Sequence, residues 1–562
     1  MMQNLAPRLI STGILTTLFI ASLSACSPTE EGTQPAGSAA SADVIFSNGH
    51  ILTLDEADTT ASTLVVSGEK IVAVGDESLS KQFAAPLVID LEGRTLMPGF
   101  IDSHTHIYGR PPHFIDLTEV SSVAEIVSLV SAKAAEVGPG NWITGYGWSE
   151  DELSEGRRPL IGDLDVAAPG HPVMLTRAGG HSAVFSSTAF EIAGIDATTP
   201  NPEGGIIERN EAGALNGVIR ERQNLIGDLI PETPPQDLRP SLIANLEALF
   251  EKGITSITHA NATLDIFPVW EAAYAEHRGR LPRASVQVLH EGREAMAAFG
   301  RISGDGDEHL RVGPLKIFAD GGFTGPAAYT SKPYKGEDEY RGKLNMTEAE
   351  LHDLIIMAHE DGWQLGIHAI GDAAIMLSVD YLIEALSAAP KNDHRHYLNH
   401  FTVMPDTETM EDMAANGIAI TQQPNFTYTL EGRYVANLDG ARLETNNPVR
   451  TPMNHGIHVA ISSDILPIGP WVGIYAAVTR KGMSGRVFGP GEAISREEAL
   501  KAYTSKGAWL SREENIKGVL APGMLADLIV LSDDPLSVSD AELLNIEVLE
   551  TWLGGQRVFS RN

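Results

Sequence analysis

Met97-Pro98-Gly99-Phe100-Ile101-Asp102-Ser103-His104-Thr105-His106 decides how the rest of this chain is read. A Pro-Gly turn leads into a short apolar run that ends in two histidines one residue apart. Side chains at i and i+2 of a β-strand share a face. His104 and His106 therefore bring two imidazoles to one point at a rigid strand end, which is how a divalent-metal site begins. A His-x-His pair is a weak signal alone, so the missing ligands must be sought at the ends of other strands.

Downstream, apolar strand-like runs alternate with helical patterns, the mark of βα units around a parallel sheet. Strands are expected at Phe100–His106, Ile254–His259, Ala284–Leu289, Leu315–Ala319, Gln364–His368, Tyr397–His400, Ile418–Gln422 and Val459–Ser463. Helices are expected at Leu242–Glu251, Thr347–Asp361, Ala373–Ala388, Asp406–Asn416 and Arg496–Gly507. A ninth strand candidate, Val173–Thr176, lies in a gap far too long for one βα connection. It is assigned, with Trp142–Gly145, to an insertion over about 107–240. The remaining eight fit a (β/α)8 TIM barrel over 98–517, an α/β fold. Short β runs at 43–97 return in style only at 518–562, and together the two ends suit one small β-sandwich.

Active sites of such barrels lie at the C-terminal ends of the strands. Read in order, those ends carry His104 and His106, then Lys316, His368, His400 and Asp464. Each has an ordinary structural reading: a satisfied core histidine, a lysine paired with Asp320, or an aspartate capping a helix. Five of eight strands placing polar groups at one rim is hard to attribute to those readings jointly.

Composition narrows the function classes. The formal net charge is −34, from 40 Lys+Arg against 74 Asp+Glu, so the chain lacks the basic footprint that nucleic acid requires. The hydrophobic share of 43% allows a sizeable core. The single cysteine is Cys26. It follows an apolar stretch, Ile10 to Leu23, that is too short for a comfortable membrane span and fits a secretory signal. Residues 26–42 are rich in Ser, Gly, Pro, Thr and Ala and are expected to form a flexible tether.

Several of these stretches resemble known ones. Leu23-Ser24-Ala25-Cys26 is similar to the lipobox of bacterial lipoproteins. That likeness implies a signal peptide over 1–25, lipidation of Cys26, a cell-envelope location (periplasmic or outer membrane) and membrane contact through lipid only. Pro98–His106, Lys316-Ile317-Phe318-Ala319-Asp320-Gly321-Gly322, His368-Ala369-Ile370-Gly371-Asp372 and Ser463-Asp464 resemble the metal-dependent amidohydrolase superfamily. The branch they are most similar to is amidohydrolase family 3, which includes N-substituted formamide deformylases. Pro522–Leu531 resembles the superfamily's return strand into its sandwich.

The resemblance implies His104, His106, Lys316, His368, His400 and Asp464 as ligands of one or two divalent metals, with zinc the expected ion. Lys316 would be carbamylated if two metals are bridged, because a carbamate is an anionic oxygen ligand and an ammonium is not. The expected chemistry is hydrolysis of a non-peptide C–N bond by a metal-activated hydroxide, with Asp464 moving the proton. Ester hydrolysis, isomerisation or dehydration at the same site, or a non-catalytic solute-binding lipoprotein, are the alternatives. Arg177-Ala178-Gly179-Gly180-His181 looks like the family's pocket-side Arg-x-x-Gly-His stretch. With Trp148 and Phe323 it makes Arg177 and His181 the expected contacts for a small-molecule substrate, with His259 as a supporting donor. A homodimer is left open as the assembly.

Overall fold

The protein is described here from a computed structural model covering residues 39–150, 152–178, 180–323, 325–465 and 467–561. Cys26 and the signal-like stretch lie outside these residues. No helix among the described residues is long and apolar enough to cross a membrane.

Eight parallel strands form the central sheet: β1 (Phe100–Thr105), β2 (Ile254–Ala262), β3 (Arg283–Leu289), β4 (Leu310–Phe318), β5 (Leu365–Ala369), β6 (Tyr397–His400), β7 (Ala419–Gln422) and β8 (Val459–Ile461). Each pairs with the next in order. The seam between β8 and β1 is closed by a bridge between Thr105 and Asp464 and by the Ser103 hydroxyl donating to Ile461 O at 3.0 Å. The fold is thus a nearly closed TIM barrel with additional sheets, α/β overall. Its strands are Val- and Ile-rich runs buried on both faces, as parallel barrel strands must be, and their outward residues pack under the helices in one continuous core.

Two elements differ from the sequence reading. β4 begins at Leu310 rather than Leu315, ahead of Gly313-Pro314. A proline cannot donate to a ladder, so a strand read from sequence is broken there. The β3–β4 register slips between Val286↔Val312 and Val288↔Leu315, and this irregularity absorbs the Gly-Pro pair. The helix expected over Arg496–Gly507 is two, Arg496–Ala502 and Ser505–Leu510. The break has a cause: Tyr503 O accepts from Ile101 N at 2.7 Å, so the barrel wall takes a carbonyl that helix continuation needs.

The chain ends meet in two further sheets. A four-stranded sheet is drawn from 44–90. A six-stranded sheet joins Thr95–Pro98, His50–Leu52 and Thr60–Ala61 to Leu528–Leu531, Val548–Leu553 and Gln556–Ser560, with Thr95–Pro98 beside Leu528–Leu531 at the seam. Phe46, Leu64, Leu96, Leu528 and Trp552 share the core between them. Of the tether expected over 26–42, residues 26–38 lie outside the described residues, while Ala40–Ser41 pairs with Phe83–Ala84 and Ala42 is buried. Between β1 and β2 the chain folds a separate six-stranded mixed sheet, from Phe114–Asp116 to Leu215–Arg220, with its own apolar clusters.

Candidate metal centre at the barrel mouth

The structure brings His104, His106, Lys316, His368, His400 and Asp464 to the C-terminal mouth of the barrel. One nitrogen of His104, one of His106 and one Asp464 oxygen lie within 4.8 Å of one another. The His104 ring is 4.9 Å from that of His400, and His400 is 4.4 Å from His368, centre to centre. His400 and Asp464 hold positive φ (78° and 56°), a conformation that non-glycine residues rarely adopt. At each point the chain is bent to turn a polar side chain into the mouth.

Hydrogen bonds decide which imidazole nitrogen is free. His104 Nδ1 meets Asn399 Oδ1 at 2.6 Å, and His400 Nδ1 meets Gln423 Oε1 at 2.8 Å. Both partners are acceptors, so each ring carries its proton on Nδ1 and turns the Nε2 lone pair inward. His106 Nδ1 meets the Tyr108 hydroxyl at 2.6 Å, and that hydroxyl donates to Asn261 Oδ1 at 2.7 Å. His106 Nε2 then faces Asp464 Oδ1 at 3.1 Å, one electron-pair donor against another. A shared cation relieves that opposition.

The remaining polar atoms fit the same requirement. His104 Nε2, His368 Nε2 and Lys316 Nζ are buried and have no hydrogen-bond partner. Buried polar atoms are almost always satisfied, and three orphans at one mouth, beside a carboxylate, are a donor set for a divalent ion. Burial drives the His368 imidazolium down to about 3, and holds His104 and His400 well below the ordinary histidine value. All three are neutral, as metal ligands must be. Burial also lowers the Lys316 ammonium to about 7, against the pull of Asp464. Burial pushes the Asp464 carboxyl up, but the basic side chains that face it, His106 first, hold it net below its usual range.

The mouth opens into a cavity of about 290 Å³ walled by Phe318, Phe323, Ile370, Phe426, Leu430 and Tyr434. Of the expected substrate contacts, only Phe323 is there. Trp148 is 1% exposed inside the core of the inserted sheet, where its indole N–H donates to Leu175 O at 3.1 Å. Arg177 is bound to Glu150 at 2.6 Å, and His181 is exposed and paired with Glu221 at 3.0 Å. None of these three lines the cavity. The insertion needed an anchor for its own core, and an aromatic near a Gly-rich turn cannot be distinguished from a pocket residue by sequence.

Three further polar residues stand around the centre. His259 supports the centre: its Nδ1 accepts from Ile107 N at 3.2 Å, and burial lowers it to about 3. Asp320 accepts from the backbone N–H groups of Tyr329, Ile370 and Gly371 at 2.9, 3.0 and 2.9 Å. It thereby ties the segment bearing Phe323 to the end of β5 bearing His368. Asp102 Oδ1 accepts from Ser463 N at 3.0 Å across the barrel seam, beside Asp464.

Comparisons agree with this arrangement. The family model described as "Amidohydrolase family" matches residues 87–559. YtcJ of Bacillus subtilis (strain 168) is 30% identical over 536 residues, 92% of this chain and 99% of that one. The N-substituted formamide deformylase of Arthrobacter pascens is 29% identical over 543 residues, 92% and 98% of the two chains. A solved structure of an uncharacterized metal-dependent hydrolase from Pyrococcus furiosus superposes with a TM-score of 0.69 at 27% identity, covering 88% of this chain and 100% of that one. Matched from the sandwich through the whole barrel, the chain belongs to the amidohydrolase family.

Proposed function

We propose that this protein is a metal-dependent hydrolase that opens a non-peptide C–N bond in a small neutral amide, an N-substituted formamide or a cyclic amide. The observation that carries the reading is the set of inward donor atoms: His104 Nε2, His368 Nε2 and Lys316 Nζ without hydrogen-bond partners, and His106 Nε2 facing Asp464 Oδ1. The histidines and Asp464 would hold the ion, with zinc the expected metal. A bound divalent ion supplies Lewis acidity to a carbonyl and to water.

The chain's own residues account for the rest. Asp464 is ionised and buried, so it can accept the proton of the water that adds to the carbonyl carbon and return it to the leaving nitrogen. Water is consumed, the C–N bond breaks, and an acid and an amine leave. Lys316 has an amine that is substantially neutral near pH 7, the form that adds carbon dioxide to become a carbamate ligand.

The walls support this substrate class. Among the described residues the cavity wall offers no charged group outside the centre itself, which favours a neutral substrate with an apolar substituent. The likeness to an N-substituted formamide deformylase supports the same class.

The test is Asp464→Asn, assayed on matched formamides, amides and esters with metal content measured alongside. Loss of about 10²–10⁴-fold in kcat is expected, with native protein preferring the C–N substrates. Full turnover by the variant would remove Asp464 from the chemistry, and a preference for esters would overturn the substrate class.

A further inference from the structure

A second group of ligand-type side chains lies away from the barrel mouth. Glu69, Glu308 and His309 each place one ligand atom within 4.8 Å of the other two. Glu308 and His309 precede β4, and Glu69 sits in the turn between the sandwich strands Thr63–Ser67 and Lys70–Gly75. The group therefore straddles the contact between sandwich and barrel. It is independent of the proposed hydrolase reading.

Three features set it apart from an ordinary acidic surface. First, His309 is 5% exposed, and its ring makes no hydrogen bond among the described residues. Its Nδ1 is buried without a partner, and its Nε2 stands 4.0 Å from Glu308 Oε1, beyond hydrogen-bond reach. A buried imidazole left unsatisfied beside two carboxylates calls for a third party.

Second, the neighbouring arginine offsets these charges only at a distance: Asp527, Glu308 and Glu69 all act on Arg283. Arg283 is committed to Asp527 by two bonds, at 2.7 and 3.2 Å, and gives its remaining contact to Glu308 O at 3.2 Å. The Glu69 and Glu308 carboxylates form no ion pair with Lys or Arg among the described residues.

Third, all three carriers are pinned by their backbones. Glu69 O accepts from Ala526 N at 2.8 Å, and Gly68 O presses on Gly555, where a Cβ would come within 2.8 Å. His309 O accepts from Ala284 N at 2.8 Å, and His309 N donates to Asp307 Oδ1 at 2.8 Å. Ligands sharing one small ion lie about 3.3 Å apart for bonds near 2.0 Å, so rotation of the two glutamate side chains would close the present spacing.

We propose that Glu69, Glu308 and His309 form a second site for a divalent transition-metal ion, which clamps the β-sandwich to the barrel. Two carboxylates and one imidazole are a donor set that zinc or manganese accepts. Water would complete the coordination on the exposed Glu69 side.

The experiment uses the full chain equilibrated against fixed free Zn²⁺, with bound metal counted per chain in native protein, Glu69→Gln and His309→Gln. Each variant should bind one equivalent less than native protein and should keep its hydrolytic activity. In Asp464→Asn the equivalent at the sandwich seam should persist. A saturable upward shift in Tm with Zn²⁺ should shrink in both seam variants. Unchanged stoichiometry in either one overturns the site: retention in Glu69→Gln removes the glutamate ligand, and retention in His309→Gln alone would mean that the carboxylates merely attract cations. Glu69 is exposed, so its variant is not expected to misfold.

Discussion

Replacing Asp320 by Asn should damage stability and activity together, by an amount the geometry sets. The carboxylate is fully buried and receives three backbone N–H bonds, Ile370 on Oδ1 and both Gly371 and Tyr329 on Oδ2. An amide has only one acceptor atom. If the oxygen keeps the Oδ2 position, one N–H faces an NH₂ group, and in the other orientation two do. A buried polar group left without a partner costs about 1–3 kcal/mol. The milder orientation leaves one such N–H and an unsatisfied NH₂, and weakens two charge-assisted bonds, so the loss is about 3–5 kcal/mol. That is a large part of the 5–15 kcal/mol typical of a domain. Because Asp320 joins the Phe323 segment to the His368 strand end, kcat/KM should fall while the protein is still folded. Urea unfolding of metal-loaded protein, with kcat/KM measured below the transition, reads both. A stability loss under about 0.5 kcal/mol, the scale of a surface substitution, would refute the assignment of Asp320 as the tie between these segments.

Two further outcomes follow from other parts of the molecule. His359, His394 and His396 form a buried chain in which His396 Nε2 meets His359 Nδ1 at 2.8 Å, while His396 Nδ1 accepts from Leu365 N at 3.0 Å. Burial, then mutual repulsion and nearby Lys391 and Arg512, hold His396 well below the ordinary histidine value, and burial lowers the other two. The unfolded chain therefore takes up protons that the folded chain refuses, so this stability is present above pH 6.5 and is lost as pH falls below it. The slope approaches about 1.4 kcal/mol per pH unit for each ring. Urea midpoints between pH 7 and 5 should fall less steeply in His359→Gln, and equal slopes would count against the reading. Trp148→Phe should cost about 1 kcal/mol through the lost bond to Leu175 O and leave KM unchanged; a raised KM would return Trp148 to the substrate pocket.

Much of this protein is legible in the linear chain where the signal is local. The period of apolar residues marks all eight barrel strands, and a polar residue where an apolar run stops marks a strand end. His104, His106, His368, His400 and Asp464 could be singled out on that basis because the barrel gathers the C-terminal ends of its strands at one face, and Lys316 by being the one charge inside the apolar run Leu315–Ala319. The sequence alone therefore determined the architecture and the residue types at the rim.

Relations between distant residues were decided only by tertiary structure. Whether Trp148 faces a substrate or a core depends on how the inserted sheet packs. Asn399 orients His104, which is 295 residues earlier, and Gln423 orients His400, through contacts that exist only once β1, β6 and β7 are in register. Glu69 meets Glu308 and His309 only because the two chain ends close one sandwich against the barrel. Hydrophobic periodicity reports which face of an element is buried, but not what lies against that face. The candidate ligands are therefore written in the sequence, while the partners that orient them are set by packing.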